Sequence, residues 1–281
     1  MSIRVAIAGS TGRMGRVLID EVLTDASLTL SAALERPEHI LIGRDPGDWS
    51  GVSTTIQISA ASRKSLESTQ VLIDFTRPKA TLRHLELCRD LNIPMVIGTT
   101  GFSPDERETI FKASETIAIM MAPNMSVGVN VTLSLLDLAA RLLTEGFDVE
   151  ITEAHHRHKV DAPSGTALRL GEVVAHARGV KLADVALYGR EGIMGERHPD
   201  TIGFATLRGG DVVGDHTVSF LGDGERVEIT HKASGRDTFA KGAIKAAKFL
   251  QGKNAGLYDM EDVLGLKPLH HLLSEFKGRD K

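Results

Sequence analysis

Residues 153–167 read Glu-Ala-His-His-Arg-His-Lys-Val-Asp-Ala-Pro-Ser-Gly-Thr-Ala. His155, His156, Arg157, His158 and Lys159 are five cationic or titratable groups in a row, a composition that a hydrophobic core does not accommodate. The turn that follows, Pro163-Ser164-Gly165-Thr166, consists of small residues. Such a turn, opening a helix, presents unsatisfied backbone N–H groups that suit an anion. The stretch therefore reads as a pocket for a small acid that must also gain a proton. A histidine titrates near neutral pH, so His155 or His156 can hold that proton. Lys159 is a compact positive charge able to stabilise developing negative charge or to give a proton itself. Ser164, Gly165 and Thr166 offer backbone and hydroxyl donors for a carboxylate, and Asp161 orients a neighbour or caps the turn.

Two plainer readings compete. Three histidines within four residues could form a metal site, since imidazole is a common ligand. Arg157 and Lys159 add positive charge where a cation would bind, there is no helical H-E-x-x-H spacing and no usable cysteine, so no metal is expected. A solvated basic surface leaves unexplained why the stretch follows an apolar strand and feeds the Pro-Ser-Gly-Thr turn.

A second signature begins the chain. Gly9-Ser10-Thr11-Gly12-Arg13-Met14-Gly15 is a G-x-x-G-x-x-G turn between a predicted strand and a predicted helix. Glycine lets the backbone turn tightly and approach a pyrophosphate, which the helix N-terminus then stabilises. Glu35 lies 20 residues after Gly15, at the end of the second predicted strand, where a carboxylate can accept hydrogen bonds from ribose hydroxyls. That carboxylate favours NAD, whereas the adjacent Arg36 guanidinium can pair with the 2′-phosphate of NADP, and Arg13 could add a phosphate contact. Dual use of NADH and NADPH is the expectation. Gly98-Thr99-Thr100-Gly101 and Ala122-Pro123-Asn124-Met125 end further strands and are expected along the same sheet edge, toward the nicotinamide. A nucleotide-borne hydride plus a positioned proton amounts to reduction of a C=C or C=N bond.

The elements that must position these groups follow from hydrophobic periodicity. Strands at Ile3–Ala8, Leu28–Leu34, Val71–Phe75, Met95–Ile97 and Ile117–Met121 alternate with helices at Arg13–Leu23, Ala80–Leu91 and Glu106–Ser114. That rhythm predicts a doubly wound parallel α/β sheet. It breaks after Ala122-Pro123-Asn124. Val127–Leu143 reads as a long, weakly charged helix buried between layers, Val149–Ala154 as the strand feeding the histidines, and Thr166–Ala177 as a helix closed by Gly179. Residues 184–200 read as an exposed excursion. Gly203–Leu207, Val212–Leu221 and Arg226–His231 read as an antiparallel meander, hence a second, α+β domain with a mixed or antiparallel sheet. Phe239–Leu250 reads as a helix docking back on the first domain.

Bulk properties exclude several classes. At 281 residues, 42% hydrophobic and 25% charged, the chain has the composition of a soluble globular protein with room for two domains. A net charge of −4 gives no global attraction to nucleic acid or to an anionic membrane, so any anion site is local. The single cysteine, Cys88, excludes an intramolecular disulfide, fits a reducing cytoplasm and reads as a core thiol rather than a nucleophile. No apolar run approaches the ~20 residues that span a bilayer, and strand-like sequence at the N-terminus leaves no room for a signal peptide.

Taken in order, several motifs resemble the 4-hydroxy-tetrahydrodipicolinate (dihydrodipicolinate) reductase family. They are Gly9-x-x-Gly12-Arg13-Met14-Gly15, Asp74-Phe75-Thr76, Gly98-Thr99-Thr100-Gly101 and Glu153-x-His155-His156-x-x-Lys159-x-Asp161-x-Pro163-Ser164-Gly165-Thr166-Ala167. The likeness runs from Ile3 to about Leu266 and includes Gly203-Phe204-Ala205, Gly214-Asp215-His216 and Arg226-Val227-Glu228-Ile229-Thr230-His231. The resemblance implies a Rossmann-type nucleotide domain made of residues 1–126 and 237–281, and a central substrate and oligomerisation domain, 127–236, in a homotetramer. It implies hydride delivery from NADH or NADPH to a cyclic, conjugated imine dicarboxylate in diaminopimelate and lysine biosynthesis. His155 would be the proton donor/acceptor and Lys159 a proton donor, with His156, Gly165 and Thr166 holding substrate and Arg236 placed for a carboxylate. Two departures stand out: Met125 replaces a Phe of some members, which bears on nicotinamide packing, and the tail 267–281 runs past the usual family end. Another two-domain dehydrogenase of amino-acid metabolism, or a nucleotide-sensing regulator without chemistry, are the rival functions. The absence of a usable catalytic cysteine opposes the first, and the intact His155, Lys159 and Ser-Gly-Thr turn oppose the second.

Overall fold

The structure, a computed structural model, describes residues 2–235 and 237–267. Arg236 and residues 268–281, and with them the expectations placed there, lie outside the described residues. In chain order the first elements are β1 (Ile3–Ala8), α1 (Arg13–Thr24), β2 (Leu28–Glu35), β3 (Ile58–Ala60), α2 (Arg63–Leu66), β4 (Val71–Asp74), α3 (Pro78–Leu91), β5 (Met95–Ile97), α4 (Pro104–Ser114) and β6 (Ala118–Met121). Then come α5 (Val127–Leu142), β7 (Asp148–His155), α6 (Gly165–Ala177), α7 (Leu182–Val185), β8 (Ala186–Tyr188), β9 (Ile202–Arg208), β10 (Gly214–Gly222) and β11 (Glu225–Ala233). The last are α8 (Asp237–Phe249), β12 (Gly256–Tyr258) and α9 (Met260–Leu264). They form two compact units, residues 2–127 with 237–267, and residues 128–235.

The first unit is built on a parallel sheet of order β12-β6-β5-β4-β1-β2-β3. Its strands are nearly continuous apolar runs because helices cover both faces. On one face Val5, Ile7, Ile73 and Val96 pack with Leu18, Ile19 and Val22 of α1 and with Ala243, Ile244 and Ala247 of α8. On the other, Leu72, Met95, Ile97 and Ile119 meet Leu85 and Cys88 of α3 and Ile110 of α4. Local signals set the helix starts. Pro78 stands at the head of α3, and α4 opens on Pro104 with a Ser103/Glu106 capping box. The edge strand β12, only three residues long, carries no periodicity of its own and escaped the sequence reading.

The second unit holds a five-stranded mixed sheet of order β11-β10-β7-β9-β8. This corrects the predicted meander. Only β10 and β11 form an antiparallel neighbour pair from that run, while β9 pairs in parallel with β7, which lies between β9 and β10. The link between β9 and β10 therefore passes across the end of β7, and hydrogen bonds to it hold the link there. Gly209 N–H donates to His155 O at 3.0 Å, His156 N–H to Val212 O at 2.7 Å and Arg157 N–H to Gly210 O at 3.3 Å. The excursion at 184–200 is in part ordered as α7 and β8, and β8 extends the sheet beside β9. Helix α5 is also corrected. It buries Val129, Leu136 and Ala140 but exposes Val131, Leu135 and Leu142, so it lies over one layer rather than between two.

Candidate active site

Period-2 alternation aims Val149, Ile151, Glu153 and His155 of β7 at one face of the second sheet. Ile202, Phe204, Thr206 and Arg208 of β9 share that face through the strand register, as do Phe220, Val218 and His216 of β10. On each strand the face changes from apolar to polar at the same level. The apolar half, Val149, Ile151, Ile202, Phe204, Val218 and Phe220, packs on Leu170 and Val174 of α6. The polar half forms the site, where α6 begins.

Its centre is Glu153, 1% exposed. Glu153 Oε2 accepts from His155 Nδ1 at 2.6 Å, and the Arg208 guanidinium bridges both carboxylate oxygens at 2.8 Å each. Burial opposes ionisation of Glu153, but Arg208, His155 and the Ser164 amide outweigh it and pull the carboxyl down to about 2. Ser164 caps α6, accepting from Ala167 N at 3.1 Å; its own N–H donates to Glu153 Oε1 at 3.0 Å and its hydroxyl shares a 2.9 Å bond with His216 Nε2. The polar atoms of Ser164 are thus engaged within the protein, and it fixes the turn from which Gly165 and Thr166 open the helix. Lys159 Nζ lies 2.8 Å from Asp161 Oδ2, so Asp161 orients the lysine. His156 Nδ1 is buried without a hydrogen-bond partner, its ring 6.1 Å from that of His158.

The predicted cofactor residues collect at the carboxyl ends of the first unit's strands. Gly9, at φ +67°, is where the chain turns out of β1, and a Cβ there would meet the Thr76 methyl at 2.8 Å. A Cβ on Gly15 would overlap the Gly9 carbonyl oxygen, so α1 can sit against the turn only with glycine at that position. Gly12 caps α1 without any side-chain hydrogen bond, so no side chain occupies the first turn's N–H groups, with Arg13 and Met14 in that turn. Ser10 is buried with its hydroxyl unpartnered. Thr11 Oγ1 donates to Glu35 Oε2 at 2.7 Å. Burial again opposes ionisation of Glu35, and the Thr11 hydroxyl and the Arg36 amide reverse it, leaving its pKa lowered. The Arg36 side chain is 79% exposed.

These groups border a cavity of about 740 Å³ lined by Gly9, Thr11, Gly12, Glu35, Arg36 and Thr76, among others. Bare helix amides for a diphosphate, a carboxylate for ribose and a guanidinium at the rim fit a dinucleotide. Gly98 lets the Phe75 ring lie against the chain, since a Cβ would overlap that ring. Thr99 is buried, its hydroxyl accepting from Thr81 Oγ1 at 2.8 Å, and Thr100 is exposed beyond it. Asn124 Oδ1 accepts from Ser126 N, and Ala122 is buried beside Pro123. Met125 is 1% exposed and packs in the core shared with α8, a place for core packing rather than for a nicotinamide contact.

Several residues at these sites had no chemical role assigned from sequence, His216 standing only within the Gly214-Asp215-His216 motif. Arg208 and His216 come from strands far along the chain, and only sheet register brings them to Glu153. His39, Arg77, Arg83 and His84 line the nucleotide cavity. Buried Asp74 accepts from Thr76 N at 2.8 Å, from Thr76 Oγ1 at 2.6 Å and from His84 Nδ1 at 2.7 Å, tying the end of β4 to α3. The Asp-Phe-Thr motif was the available hint. Cys88 is free and buried, and burial together with the Asp74 charge pushes its thiol up, as a core thiol requires.

A glycine-cradled nucleotide site on a Rossmann sheet, with a histidine and lysine site on a second sheet, defines a two-domain nicotinamide-dependent oxidoreductase. Family models described as the N-terminus and the C-terminus of dihydrodipicolinate reductase match residues 3–125 and 128–264. The 4-hydroxy-tetrahydrodipicolinate reductase of Nitrosospira multiformis is 59% identical over 95% of this chain and 99% of its own. That of Nitrosomonas europaea is 57% identical over 94% and 99%. A dipicolinate-bound dihydrodipicolinate reductase from Paenisporosarcina sp. TG-14 superposes with a TM-score of 0.73 at 26% identity, covering 93% of this chain and 99% of that one. The chain belongs to the dihydrodipicolinate reductase family.

Proposed function

We propose that the chain reduces the cyclic, conjugated imine dicarboxylate derived from 4-hydroxy-tetrahydrodipicolinate to tetrahydrodipicolinate, in diaminopimelate and lysine biosynthesis. The observation that carries this reading is His155, held through Nδ1 by Glu153, beside the capped N-terminus of α6. The name shared by relatives of near-equal length supports it. So does the dipicolinate, a ring dicarboxylate, described in the Paenisporosarcina structure.

When bound, the nicotinamide supplies the hydride. Residues 2–126 and 237–267 form the domain that would hold it: Gly9–Met14 would cradle the diphosphate, Glu35 would take the ribose hydroxyls, and Gly98–Thr100 and Ala122–Asn124 would border the nicotinamide end. Arg36 reaches a 2′-phosphate, so both NADH and NADPH serve. Residues 127–236 form the substrate domain. There Gly165 and Thr166, aimed by Ser164, hold one carboxylate, with His156 and Arg236 completing the grip. One hydride and one proton reduce one double bond, so His155 gives the balancing proton through Nε2, and Lys159 stabilises the charge that develops or gives a proton itself. The protein works as a cytoplasmic homotetramer; no described helix is long and apolar enough to cross a membrane.

His155→Gln and Lys159→Ala are each expected to lower turnover by roughly a hundredfold while leaving NADH binding nearly intact. The assay uses substrate made in situ by a synthase and compares both nucleotides. Wild-type-like rates in both variants would sink the assignment. Nucleotide binding without oxidation of either nucleotide by the wild type would favour a sensing protein.

A further inference from the structure

Glu153 lies two residues before His155 in β7, so both side chains leave the same face of the strand. Register sets Glu153 opposite Thr206 of β9 and His216 of β10, and His155 opposite Arg208. Apart from Thr206, the contacts of the carboxylate lead to working parts of the site. His155 Nδ1 and Arg208 Nη1 meet Oε2; Ser164 N, Arg208 Nη2 and Thr206 Oγ1 meet Oε1. Arg208 Nη2 also donates to the Asp161 carbonyl at 2.6 Å, and Asp161 in turn holds Lys159. One ion pair, its carboxylate buried and its guanidinium 21% exposed, thus touches the imidazole, the lysine loop and the first amide of the anion turn.

A buried ion pair is a poor device for stability alone, since an apolar pair of the same volume often stabilises as well or better. We infer that the Glu153–Arg208 pair positions the acid–base groups of the reaction, fixing the tautomer of His155 and the placement of the Lys159 loop relative to it. The inference rests on the reading of His155 as proton donor. An ionised carboxylate only accepts, so the ring nitrogen facing it must carry hydrogen; in the neutral ring Nε2 is then the open lone pair. Nε2 can take a proton and give it up without the ring turning, because Nδ1 stays bonded throughout. Gly214 keeps that nitrogen uncovered: a Cβ there would stand 3.0 Å from Nε2.

The test pairs spectroscopy with kinetics on the full chain. Wild type, Glu153→Gln and the double variant Glu153→Gln/Arg208→Gln are labelled with ¹⁵N-histidine, and the His155 resonances are assigned by their loss in His155→Gln. The wild type is expected to show the Nδ1–H tautomer, and both other variants a mixture or the Nε2–H form. Turnover should fall roughly tenfold to a hundredfold, in kcat more than in KM, with NADH affinity unchanged, as for other groups that orient an imidazole. The double variant removes both charges of the pair together, so neither is left uncompensated as in the single variant. A double variant with the wild-type tautomer and wild-type kcat overturns the inference. Failure of the proton-donor reading is seen separately, as wild-type turnover in His155→Gln.

Discussion

His216 packs edge-on against His155 with ring centroids 5.0 Å apart. Burial, reinforced by His155, pushes its pKa from the ordinary 6.5 down to about 4. The sign of the consequence follows from linkage: between those values the unfolded chain takes a proton at this site and the folded chain does not. Stability is therefore full above pH 6.5 and lost as the pH falls to about 4, by about 3 kcal/mol for this group alone. Glu153, lowered from 4.5 to about 2, loses its contribution only in the next window down. His216→Asn should flatten the stability profile between pH 6.5 and 4 and leave the steeper loss below it, read from urea midpoints across pH. An unchanged slope in the upper window would refute the role given to His216. At this scale the sequence was legible only in part. Types and spacing marked His155 and Lys159 as chemical groups, because they crowd one segment. The groups that tune and aim them are only partly encoded by linear spacing: Glu153 shares a strand face with His155 two residues on, but Arg208 and His216 reach it only across the sheet.

Elements were legible where a local cause shaped them. The glycine turn is such a case: α1 can pack on β1 only because Gly15 leaves room for the Gly9 carbonyl. Gly15→Ala should push α1 away from the turn and weaken NADH binding by roughly tenfold or more, since backbone amides must reach the diphosphate. Gly12→Ala, whose Cβ would stand 3.2 Å from the same oxygen, should do less. Fluorescence titration of both variants checks the order, and equal affinities would show that close approach is not what Gly15 provides. The strands of the second unit were legible as strands but not as a sheet. Alternation gives the face of a strand, not its partner, and closely spaced strands invite a meander. β9 is held beside β7 by the Arg208–Glu153 pair and by the bonds of the crossing link to the end of β7. Neither cause is local in sequence.

Across the whole molecule the two units treat their sheets differently. The first covers both faces with helices and reads as continuous apolar strands. The second covers one face with α6, while the opposite face presents Thr152, Ala205, Leu207 and Leu221 to solvent in the single chain. Among the charged Glu150, Arg226, Glu228 and Lys232 of the same face, these exposed small and apolar side chains form a surface suited to cover by the same face of another copy in a symmetric oligomer. That face, in residues 128–235, is where the proposed homotetramer is expected to associate. Leu207 is 59% exposed, so a charge there should leave the chain folded and act on association alone. Light scattering should give wild type a mass of about four chains, and Leu207→Glu a smaller species with unchanged circular dichroism. Turnover should fall with the mass if association steadies β9, which carries Arg208 as the residue after Leu207. A Leu207→Glu protein that keeps the wild-type mass would move the interface off this face, and a monomeric wild type would remove the tetramer from the proposal.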